Sequence, residues 1–239
     1  SCLSGQKKKS GDKMRLQGKT AIVTGGASGF GAGIVRKFVA EGAMVLIADL
    51  NLAAAEEMAL QVGADAAHVD VASNDSVAAL AAHAATSLGS VDILVNNAGV
   101  THLPMPMQDV SEADFDKVFA VNCKSVYLTA CHFVPAMTEA GKGAILNVAS
   151  TAGLSPRPKL NWYNASKGWM ITATKAMAVE LAPSGARANA LRSVACEPPF
   201  LKSFMGADTP HMRAQFLPTI PIPLLRTSAD LSLAPLCLF

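Results

Sequence analysis

Two side chains that could move a proton lie four residues apart in the stretch Tyr163-Asn164-Ala165-Ser166-Lys167. On a helix, positions i and i+4 share one face, so the Tyr163 phenol and the Lys167 ammonium can point into the same cleft. A free phenol, with a pKa of about 10, is a poor base at neutral pH, but a neighbouring ammonium favours the phenolate. Ser150 lies thirteen residues upstream of Tyr163 and can hydrogen-bond the oxygen atom that gains or loses the proton. These residues predict proton transfer to or from an alcohol oxygen, although the same spacing also occurs by chance on amphipathic helices.

A glycine-rich stretch, Thr24-Gly25-Gly26-Ala27-Ser28-Gly29-Phe30-Gly31, follows a short apolar segment and precedes a helical pattern. Glycines allow backbone to approach a pyrophosphate closely and to adopt positive φ in the turn. The helix that follows offers free N–H groups and the positive end of its dipole. A glycine turn at the junction of the first strand and the first helix therefore predicts a dinucleotide site when an acidic residue follows at the right distance.

Asp49 is that acidic residue, eighteen positions after Gly31 at the end of the second predicted strand. A carboxylate there can accept hydrogen bonds from both ribose hydroxyls of adenosine and would repel a 2′-phosphate. Ser28 is not basic, and Leu50 and Asn51 add no positive charge after Asp49. The sequence thus favours NAD over NADP. The alternative is that Asp49 only caps a helix that starts near Leu52.

Strand-like and helix-like segments alternate from Lys19 onward. Such repeated βα units predict a parallel sheet that right-handed crossovers cover on both faces. We predict a single α/β domain over residues 14–239, with residues 1–13 as a disordered leader or an expression remnant. The predicted strands are 20–24, 43–48, 66–69, 91–95, 143–149 and 186–191, and the predicted helices are 31–41, 52–61, 74–88, 112–138 (bent near Pro135) and 162–181.

Composition excludes several classes of function. The formal net charge of +2 gives no argument for a nucleic-acid partner or a charged membrane surface. We find neither an apolar run long enough to span a bilayer nor the apolar segment of a signal peptide. The five cysteines form no CxxC pair and no metal-ligand spacing with histidine, which predicts reduced thiols in a cytoplasmic protein without a metal.

In combination these features resemble the short-chain dehydrogenase/reductase family. The resemblance rests on the TGxxxGxG turn at Thr24–Gly31, on Asn96-Asn97-Ala98-Gly99 after the fourth strand, on Ser150 after the fifth, and on the Tyr163 and Lys167 pair. It implies a Rossmann-type doubly wound parallel sheet in the order 3-2-1-4-5-6, with the active cleft outside the carboxyl ends of the strands. It also implies an NAD-dependent oxidoreductase that interconverts a small-molecule secondary alcohol and a ketone.

The resemblance further implies a role for each matching residue. Tyr163 would be the general acid or base, Lys167 would lower its pKa and bind the nicotinamide ribose, and Ser150 would steady the substrate oxygen. Asn122 would hold a water molecule that links Lys167 to bulk solvent. The residues expected to bind the cofactor are Gly25, Ser28, Gly29, Phe30, Gly31, Asp49, Leu50, Asp70, Val71, Asn97, Ala98, Gly99, Tyr163 and Lys167.

The C-terminal fifty residues depart from the family pattern. Ser193, Val194 and Pro198 stand where the family usually has proline, glycine and a threonine that contacts the nicotinamide, and Arg192 replaces a small polar residue. Residues 199–216 fit a substrate lid or, alternatively, a surface helix. The sequence predicts no seventh strand, which argues against the homodimer or homotetramer that the resemblance implies.

Three other functions stay open. The chain could bind the cofactor without turnover, as a scaffold or sensor, given the altered C-terminal region. It could be an NADP-dependent reductase of the ketoacyl type, against which Asp49 argues. A hydrolase built on Ser150 is the third, but Ser150 does not lie in a GxSxG turn, and none of the five scattered histidines pairs convincingly with it.

Overall fold

The computed structural model describes residues 14–193, 209–211, 214 and 235–236. Six strands of this part of the chain form one parallel sheet in the order β3-β2-β1-β4-β5-β6, which confirms the predicted Rossmann-type topology. The strands are β1 (Thr20–Thr24), β2 (Met44–Asp49), β3 (Asp65–His68), β4 (Ile93–Asn96), β5 (Gly143–Ser150) and β6 (Ala186–Ser193).

Helices cover both faces of the sheet. The α-helices of the described chain are α1 (Gly29–Ala40), α2 (Leu52–Val62), α3 (Asn74–Ser87), α4 (Glu112–Phe119), α5 (Ser125–Glu139) and α6 (Asn161–Leu181). Short 3₁₀ turns lie at Met107–Asp109, Thr151–Gly153 and Ala182–Ser184, and a π-helical segment, Ala120–Lys124, joins α4 to α5.

Alternate residues of the central strands enter two separate hydrophobic cores. Val45 and Ile47 of β2 pack in the core formed with α1 and α2, whereas Leu46 packs in the core formed with α3, α5 and α6. Since side chains alternate across a strand and both faces are buried, the central strands are continuous apolar runs without polar alternation. That is why these runs, bounded by glycine and polar residues, could be recognised as strands from sequence.

The carboxyl ends of the strands bring the predicted site residues to one edge of the sheet. Thr24 ends β1, Asp49 ends β2, Asn96 ends β4, and Ser150 ends β5. Ser150 lies in register with Ser193, the last residue of β6. In an open parallel sheet this edge is where ligands bind.

One predicted element differs clearly from the structure. The long helix predicted over 112–138 is interrupted at Ala120–Lys124 by π-helical hydrogen bonding, while Pro135 lies inside the continuous helix α5. The interruption therefore begins fifteen residues before the proline that we expected to bend the helix. Most other bounds differ by one or two residues, and β4 starts at Ile93, two residues after the predicted start at 91.

Several predictions concern residues outside the described part of the chain. These are the leader at 1–13, the turn residues 194–198, most of the lid at 199–216, and the missing seventh strand.

Candidate active site

The Tyr163 and Lys167 side chains share one face of α6, as their spacing predicts. The Lys167 Nζ atom lies 5.9 Å from the centroid of the Tyr163 ring. Both residues are buried, at 6% and 5% exposure. Lys167 donates a hydrogen bond from Nζ to the carbonyl oxygen of Val148 on β5 at 2.8 Å, which ties the catalytic candidate on the helix to the adjacent strand.

Burial lowers the pKa of the Lys167 ammonium to about 8, because desolvation disfavours its charged form. A charged Cys123 nearby would oppose this shift, but burial raises the pKa of that thiol to about 11. The thiol is therefore neutral where Lys167 titrates, and it gives the ammonium no compensating negative charge. At neutral pH Lys167 is mostly charged and stands close to the pH at which it loses that charge.

The buried Lys167 should make the stability of the unliganded protein depend on pH. The unfolded chain keeps this proton until about pH 10.5, the folded chain releases it near pH 8, and below pH 8 both states hold it. Between these values the unfolded state binds more protons, so the free energy of unfolding should rise with pH. From pH 7 to 9.5 the gain attributable to Lys167 should reach about 2 kcal/mol. Urea unfolding of the wild type and of Lys167→Met measures it, and parallel pH curves for the two proteins would contradict it.

Asn122 lies in the π-helical segment and is fully buried. Its Oδ1 atom accepts a hydrogen bond from the Val100 N–H at 2.8 Å, and its Nδ2 atom donates to the Val100 carbonyl at 2.9 Å and to Ser166 Oγ at 3.0 Å. Both N–H bonds of the amide are therefore used within the protein. These hydrogen bonds hold neighbouring segments together. The Oδ1 atom keeps one acceptor position, and the role of Asn122 in holding a water molecule stays a prediction.

Gly99 lies close to Lys167 and Asn122. A Cβ atom at Gly99 would lie 3.4 Å from Asn122 Oδ1 and 3.5 Å from Lys167 Nζ. Only an added side chain at Gly99 would reach van der Waals contact with these two predicted catalytic residues, which places the end of the Asn97-Ala98-Gly99 segment next to them. The structure brings these three predicted positions together although they come from different elements.

Ser150 ends β5 and is 9% exposed. Its Oγ atom accepts from the Ala152 N–H at 3.1 Å and makes a long contact of 3.4 Å to the Ser193 carbonyl. The turn after Ser150 packs against α6 so closely that a Cβ atom at Gly153 would come within 2.7 Å of the backbone of Lys167 and Gly168. This close approach sets the end of β5 beside the helix that carries Tyr163.

The glycine turn between β1 and α1 is held by two polar side chains. Asn97 donates from Nδ2 to the carbonyl oxygens of Thr24 and Gly25, each at 2.9 Å. Thr24 Oγ1 accepts from the N–H groups of Asn97 and Ala98 at 3.0 and 3.2 Å. Gly25 and Gly29 have positive φ values of 63° and 53°, which favour glycine. The Asn97 side chain thus positions the turn, with both of its N–H bonds already engaged.

Asp49 lies next to this turn. Its carboxylate accepts from the Ala27 N–H and from the Asn51 N–H, both at 3.0 Å. The alternative that Asp49 caps α2 is wrong, because Asn51 is the N-cap and accepts from the Ala54 N–H at 3.1 Å. A carboxylate has about four acceptor positions, so about two remain for ribose hydroxyls.

The other predicted cofactor residues surround the same edge. Ser28 is the exposed N-cap of α1, and its side chain makes no capping hydrogen bond. Leu50 is 67% exposed beside Asp49, and Phe30 is half-buried. Asp70 accepts from the Ala72 N–H at 2.9 Å, which shapes the turn after β3. The residues that remain are buried or half-buried, namely Val71, Ala98 and Gly31.

Sequence reasoning missed several residues that shape the site. Ser166 bonds to Asn122 and lies inside the very stretch that carries Tyr163, so its position was visible but its contact was not. Arg157, on the loop before α6, is half-buried, and its charge interacts with the phenolate form of Tyr163. Trp162, the second residue of α6, also shapes this region. It packs edge-on against Phe115 and donates from Nε1 to the Met107 carbonyl at 3.2 Å.

Neither a metal centre nor a membrane span is found among the described residues. Over 14–193 and the short described segments beyond, His, Cys, Asp and Glu side chains form no group of three that could hold a metal ion. In the same residues no helix combines the length and apolar character needed to cross a membrane. Cys123 is buried and Cys131 exposed, and neither is in a disulfide.

Comparisons with a family model and with known proteins both find similarity to dehydrogenases. A family model described as short chain dehydrogenase matches residues 19–213. The chain is 43% identical to 4-formylbenzenesulfonate dehydrogenase TsaC1/TsaC2 of Comamonas testosteroni, a match that covers 87% of this chain and 85% of that protein. It is 39% identical to 2-dehydro-3-deoxy-L-rhamnonate dehydrogenase (NAD(+)) of a Sphingomonas strain, over 84% of this chain and 81% of that one.

Among solved structures, a reductase and a dehydrogenase are similar to this chain. The crystal structure of 3-ketoacyl-(acyl-carrier-protein) reductase from Brucella melitensis complexed with NADH is 42% identical, with a TM-score of 0.86, and the match covers 92% of this chain and 90% of that chain. The crystal structure of NAD+-bound xylitol dehydrogenase is 26% identical with a TM-score of 0.85, over 93% of this chain and 92% of the other.

Proposed function

Because the chain belongs to the short-chain dehydrogenase family, whose members bind a nicotinamide cofactor, we propose that it is an NAD-dependent oxidoreductase that interconverts a secondary alcohol and a ketone. The observation that carries the proposal is the buried pair of Tyr163 and Lys167 on one face of α6. Lys167 of this pair lies close to Gly99, two residues after the Asn97 that holds the glycine turn.

The chain's own residues would handle the proton. In reduction Tyr163 donates its phenolic proton to the substrate oxygen, and in oxidation the phenolate takes it back. The Lys167 ammonium favours the phenolate, and Ser150 donates a hydrogen bond to the substrate oxygen as charge develops there. A bound nicotinamide supplies the hydride chemistry.

NAD fits the residues present better than NADP. The positive φ of Gly25 and Gly29 and the absence of side chains there open a cradle for the pyrophosphate. The Asp49 carboxylate at the edge of this turn would repel a 2′-phosphate. Two similar proteins support the preference, since one is named as an NAD(+) enzyme and the other is complexed with NADH.

A fluorescence titration of the purified chain with NADH and with NADPH, followed by a turnover screen, tests the proposal. We expect much tighter binding of NADH and turnover of at least one ketone. Tight NADH binding without turnover across a broad screen would instead support a cofactor-binding scaffold or sensor. A clear preference for NADPH would overturn the assignment to Asp49.

Arg157 suggests the class of substrate. It lies on the loop between Ser150 and Tyr163, where its backbone carbonyl accepts from Asn164 Nδ2 at 2.7 Å. Burial lowers the pKa of its guanidinium, and the negative charge of the nearby Tyr163 in its phenolate form opposes that shift. A partly desolvated cation near the reacting phenol suits a substrate with an anionic substituent. The names of two relatives, one for a sulfonate and one for a rhamnonate, describe substrates of that kind.

Replacing Arg157 with glutamine should therefore discriminate between substrates. For the ketone 4-acetylbenzenesulfonate we expect kcat/KM to fall by at least about 30-fold, mainly through KM, because one partner of a charge pair is lost. For uncharged acetophenone the change should stay within about threefold. Steady-state kinetics with both ketones measures the difference.

Lys159→Asn is the matched control for Arg157. Lys159 is exposed on the same loop and has a φ of 64°, a conformation that asparagine tolerates. This variant removes one positive charge without touching the site and should alter neither substrate by more than about threefold. Equal losses for both ketones in Arg157→Gln would mean that Arg157 only shapes the loop.

A second candidate function is the reduction of a 3-ketoacyl thioester. It is favoured by the 42% identity to the Brucella 3-ketoacyl reductase structure. The NADH in that structure is compatible with Asp49, so cofactor preference does not separate the two candidates. A comparison of kcat/KM for acetoacetyl-CoA with kcat/KM for an aromatic ketone would separate the two candidate functions.

A further inference from the structure

Ser166 lies between Tyr163 and Lys167 in the chain and is fully buried, with 0% exposure. Its hydroxyl donates to the Tyr163 carbonyl at 2.7 Å and accepts from Asn122 Nδ2 at 3.0 Å. Its own carbonyl receives a weak hydrogen bond from the Cys123 thiol, at 3.7 Å between sulfur and oxygen. Ser166 thus faces away from solvent and joins α6 to the π-helical segment at two points.

Asn122 extends this connection to the cofactor side of the site. Its amide pairs with both backbone groups of Val100, the residue after Gly99. A continuous series of hydrogen bonds therefore runs from Val100 through Asn122 and Ser166 to the backbone of Tyr163. It links three segments that are distant in sequence, since Ser166 is 44 positions from Asn122 and Asn122 is 22 from Val100.

We propose that Ser166 is a positioning residue that sets the register of Tyr163 and Lys167 against Asn122 and the Gly99–Val100 segment. The inference rests on the proposed oxidoreductase function. Ser166 acts through its neighbours, because its hydroxyl is occupied by Asn122 and the Tyr163 backbone. A hydroxyl suits the position since one O–H donor and one acceptor lone pair meet the two partners in a space that solvent does not reach.

Ser166→Ala should misplace the reacting groups without removing any of them. The change leaves an Asn122 N–H without its partner in a buried site, which costs stability and lets α6 shift against the π-helical segment. Small misplacements of a catalytic group lower rates strongly. We expect kcat to fall by about 10- to 100-fold, the Kd for NADH to stay within about threefold, and the pH profile of kcat to shift as the Tyr163 phenol moves relative to the Lys167 charge.

Ser184→Ala is the matched control. Ser184 makes the same local bond, from its hydroxyl to the carbonyl three residues earlier at 2.7 Å, beyond the far end of α6. It is half-buried, and the kcat and pH profile of this variant should equal those of the wild type. Ser166→Cys keeps a weak donor and a weak acceptor on a slightly larger side chain, so its kcat should lie between those of Ser166→Ala and the wild type. It also keeps the test informative if the alanine variant folds poorly.

A double-mutant cycle shows whether Ser166 acts through Asn122. If it does, Ser166→Ala should cost little further kcat in a chain that already carries Asn122→Ala, so the two effects are strongly non-additive. Wild-type kcat and an unchanged pH profile in Ser166→Ala, or fully additive losses in the double variant, would overturn the inference while leaving the proposed function intact. Absence of turnover in the wild type would instead overturn the proposed function, and the inference with it.

Discussion

Replacing Tyr163 with phenylalanine should lower kcat by about 10²- to 10⁴-fold, the range that a positioned general acid or base contributes. The substitution removes one oxygen atom from a residue that is only 6% exposed, so the ring can keep its packing against Ala152 and Leu160. Without the hydroxyl, no group at this position can give the substrate oxygen a proton or take one from it. Steady-state kinetics in both reaction directions measures the loss.

Tyr127→Phe provides a matched control for this experiment. Tyr127 is the other tyrosine of the chain, and it is 60% exposed on α5. The same chemical change there should leave kcat within about twofold. NADH affinity should stay within about threefold in both variants, because the phenol is not needed for the adenosine half of the site. If Tyr163→Phe keeps most of its activity, another group moves the proton and the proposed mechanism is wrong.

Much of the fold was predictable because each strand carries its signal locally. Every residue of Thr20–Thr24 is buried, and the largely apolar sequence of this segment predicted both ends of the strand. The sheet order followed from the family resemblance and the βα alternation, and the structure confirms it. The positions of Tyr163 and Asp49 at the sheet edge followed from helix periodicity and from strand ends, which are also local features.

Contacts between distant segments were not predictable in this way. Asn96 donates to Asn147, 51 residues away, at 2.8 Å, and Asn147 donates to Thr174 on α6 at 2.8 Å. These buried amides join β4, β5 and α6 beneath the site. Asn96 belongs to the Asn96–Gly99 motif, but the sequence does not show that Asn147 is its partner. The same holds for the hydrogen bond between Ser166 and Asn122, where a pattern shows the residue type but not its partner.

The helix from 112 to 139 shows why a local rule can mislead. Proline is a usual cause of helix bending, and Pro135 was the obvious candidate. The structure instead changes its hydrogen bonding at Ala120–Lys124, around Asn122. Asn122 is held there by Val100 and Ser166 from two other segments, so tertiary contacts accompany the irregularity. Short π-helical segments are frequent at functional sites, and this one lies beside Lys167.

Gly31→Ala should abolish measurable NADH binding, or weaken it by at least about 30-fold, and should lower the melting temperature. A Cβ atom at Gly31 would overlap the Gly25 carbonyl oxygen and would lie 2.5 Å from Asn97 Nδ2. Neither group can move freely, because Asn97 Nδ2 donates to that same carbonyl at 2.9 Å. The added methyl must therefore push the glycine turn away from Asn97. Such overpacking typically lowers the free energy of unfolding by about 1–3 kcal/mol. The cradle for the pyrophosphate is lost as well.

Gly63→Ala separates this local effect from a general loss of stability. Gly63 caps the end of α2 with a φ of 73°, and a Cβ atom there would meet nothing within 4 Å, so alanine strains the backbone without crowding a neighbour. We expect a lower melting temperature for Gly63→Ala with unchanged NADH affinity. For Gly31→Ala, circular dichroism and a fluorescence titration should show weak or absent binding at temperatures where the chain is still folded. If folded Gly31→Ala binds NADH with wild-type affinity, the glycine turn can shift to make room for the added methyl group. The close packing of Gly31 against Asn97 would then not be needed to keep the pyrophosphate site open.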